Sequence, residues 1–190
     1  MHPRLIQAVL LLGLAAGCTS QSSVRPVEAL DERTGVTLGA LKKPIELLPG
    51  AANAVVTRKR ATFAYLGPVE WNRSGNLTYG LWIHIAPGND RQLGDIRGAA
   101  APTLVLDDGP VTLTPTTAPS LGRSAYKQVV SWGQTAYFDL TAETLRRMAA
   151  SRKLELDVGA LDGSRMSFSP TVDTHEVLTQ YLQDRGLTGD

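Results

Sequence analysis

The chain has 190 residues, 19 of them Lys or Arg and 18 Asp or Glu, with three His and one Cys. This balance, with no basic run longer than Arg58-Lys59-Arg60, leaves no electrostatic footprint for nucleic acid. A hydrophobic content of 43% over this length suits one folded domain with a real core and is too short for two comfortable ones.

Met1-His2-Pro3-Arg4 precedes an apolar run over residues 5–16, interrupted only by Gln7 and Gly13, and the polar Thr19-Ser20-Gln21-Ser22-Ser23 follows shortly after. That is the basic start and short hydrophobic stretch of a secretory signal. The run falls short of the roughly 20 apolar residues that a membrane span needs. Its end, Leu14-Ala15-Ala16-Gly17-Cys18, resembles the lipobox of bacterial lipoproteins, although Ala15 stands where the lipobox usually has Leu. The resemblance implies that Cys18 receives diacylglycerol, that residues 1–17 are removed, and that the membrane holds the protein through lipid. Two or three acyl chains, at about 0.8 kcal/mol per buried methylene, would make that attachment almost irreversible. By the sorting pattern of enteric bacteria, Thr19 in place of Asp implies an outer-membrane lipoprotein facing the periplasm. An exported protein with a single thiol either leaves it reactive or uses it, and lipidation is such a use.

Removing residues 1–17 takes away Arg4 and no acid, leaving 18 basic against 18 acidic residues. Residues 18–27, polar and with Pro26, read as the lipidated cysteine and a flexible tether that reaches about 30 Å at most. Residues 28–190 then form a single β-rich domain. Short runs over 34–41 and 45–48 are candidate strands, and 54–66 is a longer one with Phe63 and Tyr65 on one face. Asn72-Arg73-Ser74-Gly75-Asn76 is a turn, so the strand over 77–86 returns as a hairpin. It carries Leu81, Ile83 and Ile85 on one side and Trp82 and His84 on the other. A second hairpin joins 104–109 to 111–113, with Asp108-Gly109 supplying the positive φ angles of its turn. A third is expected from 126–132 and 135–140 across Gly133-Gln134.

Thr141 caps a helix over 142–150, with Leu140 and Leu145 as a hydrophobic staple and Glu143 in the first turn. Leu154, Leu156 and Val158 alternate with acids, and Asp162-Gly163 turns the chain toward Met166 and Phe168. Asp173-Thr174-His175-Glu176 forms a capping box in which Asp replaces Ser, with Val172 and Val177 as its staple. The apolar face of Val177, Leu178, Tyr181 and Leu182 packs this last helix onto a sheet before Gly186 ends it. The fold expected is mainly β (α+β): an antiparallel β-sandwich or open barrel with two short helices.

The order of motifs resembles a group of proteobacterial lipoproteins. The matching pieces are Asp31-Glu32-Arg33-Thr34-Gly35-Val36-Thr37, Lys43-Pro44-Ile45, Leu66-Gly67-Pro68-Val69, Asn72-Arg73-Ser74-Gly75, Tyr79-Gly80-Leu81-Trp82-Ile83 and the capped helix over 142–150. The resemblance implies the fold and the location and adds no catalytic residue.

After processing, only His84 and His175 remain and the cysteine carries lipid, so neither a metal site nor another cofactor is expected. No Gly-x-Ser-x-Gly elbow occurs. His175 with Asp173 and Glu176 reads as a helix start rather than an acid-base site. Trp82 and His84 share a strand face and would form an aromatic and imidazole platform for a ligand or partner if that face were open; a second sheet or a loop would otherwise cover it. Asn72-Arg73-Ser74 and Asn76-Leu77-Thr78 match the glycosylation pattern but read as turn residues. The expectation is a lipid-anchored envelope protein with a non-catalytic binding or structural module. Its partner would be an envelope protein, a cell-wall component or a small ligand. A hydrolase assembled from distant loops and a periplasmic carrier of apolar ligands are the alternatives.

Overall fold

A computed structural model describes residues 26–50, 62–86, 88, 93–99, 101–117, 119 and 124–188. The signal segment, Cys18 and the tether up to residue 25 lie outside the described residues, as do positions 54–61 of the strand expected over 54–66. The elements run β1 (Pro26–Asp31), β2 (Val36–Leu41), β3 (Ile45–Pro49), β4 (Phe63–Arg73), β5 (Asn76–Ala86), β6 (Thr103–Leu106), β7 (Gly109–Thr112), β8 (Pro115–Thr116) and β9 (Gln134–Leu140). Helix α1 (Ala142–Ala150), β10 (Leu154–Gly159), β11 (Arg165–Pro170) and α2 (Thr174–Asp184) complete them. Strand β1 begins two residues inside the stretch read as tether.

All these strands belong to one antiparallel sheet in the order β7-β6-β10-β11-β3-β4-β5-β9-β8, with β2 and then β1 branching from β4. The sheet curls into an open half-barrel carrying two short helices, so of the two architectures expected the open barrel is the one formed. Its spine is the β4–β5 hairpin, paired from Phe63↔Ala86 to Arg73↔Asn76. Ser74 (φ 52°) and Gly75 (φ 90°) both take the left-handed region, the requirement of a two-residue turn whose twist matches the flanking strands. Asn72 Oδ1 accepts from Gly75 N at 2.8 Å and holds the turn closed.

One edge of β4 serves two strands. Strand β2 pairs with its far end up to Ala40↔Val69, and β3 pairs with its near end from Ile45↔Leu66. Residues 41–44 therefore face only Gly67 and Pro68, a bulge with two extra residues that sends β2 toward β1 and β3 toward β11. Pro68 has no N–H to give this ladder, which makes the break cheap at that position.

The local signals account for most of the remaining elements. Thr141 Oγ1 accepts from Thr144 N at 3.0 Å, and Leu145, Met148 and Ala149 are the buried face of α1. Asp173 Oδ1 accepts from His175 N and Glu176 N at 2.9 and 3.2 Å, and α2 buries Leu178, Tyr181 and Leu182. Val172 is 51% exposed, so that half of the expected staple is not a core residue. The β6–β7 turn is Asp107-Asp108, one residue earlier than the expected Asp108-Gly109, and only Gly109 takes a positive φ (123°).

The third hairpin does not form. Strand β9 is present, but residues 126–132 are irregular, and its partners are β5 along one edge and β8 at Phe138 and Tyr137 on the other. The run Tyr126-Lys127-Gln128-Val129-Val130-Ser131-Trp132 has the β-branched and aromatic content of a strand. Its first residue, however, is claimed by a tertiary contact described below.

Candidate functional site

Alternation along β4 and β5 divides the sheet into two sides. One carries Ala64, Leu66 and Glu70 on β4 with Leu81, Ile83 and Ile85 on β5. The other carries Tyr65, Gly67, Val69 and Trp71 with Gly80, Trp82 and His84. The helices cover the first side and residues 124–133 cross the second.

The crossed side is an aromatic layer. Trp82 stacks on His84 (centroids 5.7 Å, 19°) and meets Tyr126 at 5.0 Å, Tyr65 lies 6.2 Å from His84, and Trp71 meets Tyr137 at 5.6 Å. Two glycines make this possible. A Cβ on Gly67 would stand 2.4 Å from the Tyr126 ring and hydroxyl, and one on Gly80 would stand 2.4 Å from the Trp71 ring. Each ring lies in the space where a side chain would be.

Tyr126 also repairs the break in the β4 ladder. Its hydroxyl donates to Pro68 O at 2.9 Å and accepts from Leu41 N at 3.1 Å, joining two backbone groups that the bulge leaves apart. Burial pushes this phenol well above the ordinary tyrosine range, so it stays a neutral donor and acceptor. The contact places Tyr126 above the sheet face and not beside an edge strand, which accounts for residues 126–132 crossing the sheet rather than extending it.

Trp82 and His84 do share a face, and of the two alternatives for it, an open platform or a covering sheet or loop, the second is the one formed: both residues are 0% exposed. The covering element is residues 124–133, with Gly133 seated against the His84 ring, where a Cβ would meet Cε1 at 2.4 Å. Thr135 Oγ1 lies 2.8 Å from His84 Nδ1 and accepts from Gln128 Nε2 at 3.2 Å. Desolvation lowers the pKa of His84 and favours its neutral form. The Trp82 and His84 pair is therefore an interior layer, not a surface ready to receive a partner.

Beside this layer, where β1 and β2 meet residues 124–125, the surface opens into a groove of about 280 Å³. Val27, Ala29, Leu38, Ala40 and Ala125 make its apolar walls, and Glu28 and Ser124 border it. Among the described residues strand β1 pairs with β2 alone, and Val27, Ala29, Leu38 and Ala40 stand on one face of that pair.

The helix side holds a charged arrangement that the sequence reading missed. Glu28, Gly39, Glu70 and Tyr79 are successive cross-strand neighbours on β1, β2, β4 and β5. The Arg185 guanidinium, from the end of α2, lies over Gly39, pairs with Glu28 and stands 3.7 Å from Glu70. Its side chain is only 6% exposed and that of Glu70 11%. The Tyr181 ring lies 5.8 Å beneath the guanidinium. Burial raises the Glu70 pKa, Arg185 pulls it back down and Glu28 adds a further push upward. Gly39 within an apolar strand and Glu70 between Val69 and Trp71 were the available signals.

At the start of α2, Asp173 caps the helix and His175 Nδ1 donates to Ala149 O, tying α2 to α1. These residues are engaged in holding two helices together. Among the described residues, no group of three or more His, Cys, Asp or Glu side chains could hold a metal ion, and no helix is long and apolar enough to cross a membrane. Cys18 lies outside the described residues. No family model, curated protein or solved structure matches the chain.

Proposed function

We propose that the protein is a lipid-anchored envelope protein whose β-rich domain is a non-catalytic binding or structural module facing the periplasm from the outer membrane. The observation that carries the proposal is the junction at Cys18: small residues and a solitary cysteine close a short apolar run, and β1 begins only eight residues later, at Pro26. Such a chain has an attachment residue and a domain separated by little more than a linker. The binding half of the proposal is supported by the apolar-walled groove on the β1–β2 face. A slender apolar group would find side-chain contact there.

Metabolic labelling with palmitate in wild type and in Cys18→Ala tests the anchor. The expected result is label and membrane sedimentation in the wild type and loss of both in the variant. Equal labelling of the two would end the reading.

A further inference from the structure

Both ring nitrogens of the buried His84 bear on the segment that covers it. On the Nδ1 side, Thr135 Oγ1 stands between His84 and Gln128 of the cover, at 2.8 and 3.2 Å. On the other side, Gly133 sits so close that a Cβ there would stand 2.7 Å from Nε2, and Nε2 is buried without a hydrogen-bond partner. A neutral ring tolerates one unanswered nitrogen. An added proton makes both nitrogens donors, and the one beneath Gly133 then carries a hydrogen and a share of positive charge with no acceptor bonded to it.

The groups packed around the ring give such a charge little relief. Strand β4 brings Tyr65, whose hydroxyl donates to Glu46 at 3.4 Å, and β5 brings Trp82. Strand β9 brings Thr135, whose carbonyl accepts from Arg97 at 2.6 Å; the cover brings Gln128 and Gly133, and its one charged residue, Lys127, is exposed. Among the described residues no ion pair involves His84. The cover is also lightly held. Among the described residues its backbone makes no hydrogen bond to the backbone of the sheet, and of residues 124–133 only Tyr126 is buried. Its fastenings are side-chain bonds: the Tyr126 hydroxyl to Leu41 N and Pro68 O, the Tyr137 hydroxyl to Ser124 Oγ, and Gln128 to Thr135. A segment held in this way can open without the sheet behind it.

We propose that His84 is a proton-operated latch: its protonation raises the population in which residues 124–133 lift from the aromatic layer and bare Trp82 and the space above Gly67. Burial lowers the His84 pKa from 6.5, so the closed form binds the proton more weakly than an open form with a solvated ring. Closure is strongest above about pH 6.5 and weakens below it, the open population rising by up to about tenfold per pH unit until the lowered value is passed. The latch holds whether or not Cys18 carries lipid.

Hydrogen exchange of the Leu41 amide reads the opening, because its acceptor is the Tyr126 hydroxyl. The amide of Ile83, between β4 and β9 in the middle of the sheet, reads unfolding of the domain. Both are measured in the full chain one pH unit above and one below 6.5 and corrected for the intrinsic exchange rate. Leu41 protection is expected to fall by up to about tenfold on the acid side while that of Ile83 holds. The fall should vanish in His84→Gln, and Gly133→Ala, whose Cβ displaces the cover, should lower Leu41 protection on both sides. If His84→Gln does not fold, the ring resonances of His84 and His175 in the unaltered chain decide the matter: the Leu41 change must follow His84. Equal protection at the two pH values overturns the latch. A fall that persists in His84→Gln or follows His175 overturns it as well, and so does a fall shared by Ile83, which would mean that the whole domain loosens.

Discussion

The two sides of the half-barrel solve one packing problem with opposite chemistry. On each, a glycine in the sheet leaves a space, and a long side chain from the covering element lies across it: Arg185 over Gly39 on the helix side, Tyr126 over Gly67 on the crossed side. Tyr126 is neutral, and its hydroxyl satisfies two backbone groups. Arg185 is charged, and the carboxyl groups of Glu28 and Glu70 lie beside it. A filled space of similar origin thus responds to pH in the carboxylate range on the Arg185 side, through Glu70, whereas the Tyr126 phenol stays neutral well above the ordinary tyrosine range. Removing either cover exposes a different liability: an uncompensated charge in one case, unpaired backbone in the other.

The strongest way to break this symmetry is Arg185→Met. It leaves Glu70 buried without its cation, and urea unfolding at neutral pH should show a loss of about 3 kcal/mol, much of it recovered when Glu70→Gln is added. A double variant no more stable than the single one would show that Glu70 is not the cause. Tyr126→Phe keeps the ring over Gly67 and removes only the bridge, with an expected cost of roughly 1–3 kcal/mol for unpaired backbone groups. A Phe variant as stable as wild type would mean that the ring alone seals the bulge.

The third test uses pH. Burial, the largest influence on Glu70, raises its pKa above 4.5, so the folded chain holds this proton more tightly than the unfolded chain does. The resulting stability is fully present below about pH 4.5 and is lost as pH rises through the raised value. Unfolding measured across that range should therefore show wild type losing ground to Glu70→Gln as pH increases, whereas the difference between wild type and Tyr126→Phe stays flat. A constant gap between wild type and Glu70→Gln would contradict the assignment. The smallest effect is expected from Glu28→Gln: its side chain is 64% exposed, solvent screens its pair with Arg185, and the loss should stay below about 1 kcal/mol.

How much could be read in advance follows the range of the interactions. The β4–β5 hairpin, the Thr141 cap and the Asp173 cap are local: Asn72, Ser74 and Gly75 act within a few residues of one another, and so do the caps. Strand β1 was absorbed into the tether at its start because Pro-Val-Glu-Ala-Leu-Asp does not alternate, and its pairing with β2 is a tertiary contact. Residues 126–132 look like a strand by composition. They are drawn off by Tyr126, whose contacts lie 58 and 85 residues away. Trp82 and His84 were correctly placed on one face, yet whether that face was open depended on this same distant segment. Arg185 had no local mark at all: near the end of a helix it looks like any solvated cation, and only the fold brings it over Gly39.

The pairing of β3 with β11 sets a schedule. Leu47 lies against Pro170, so the middle of the sheet joins a strand made early to one made very late. The β4–β5 hairpin can form as soon as it emerges, but the half-barrel cannot close until almost the whole chain exists. Under the proposed export of the chain from its N-terminus, most of its length stays uncommitted during passage, and the sheet is completed only when the last strand has arrived.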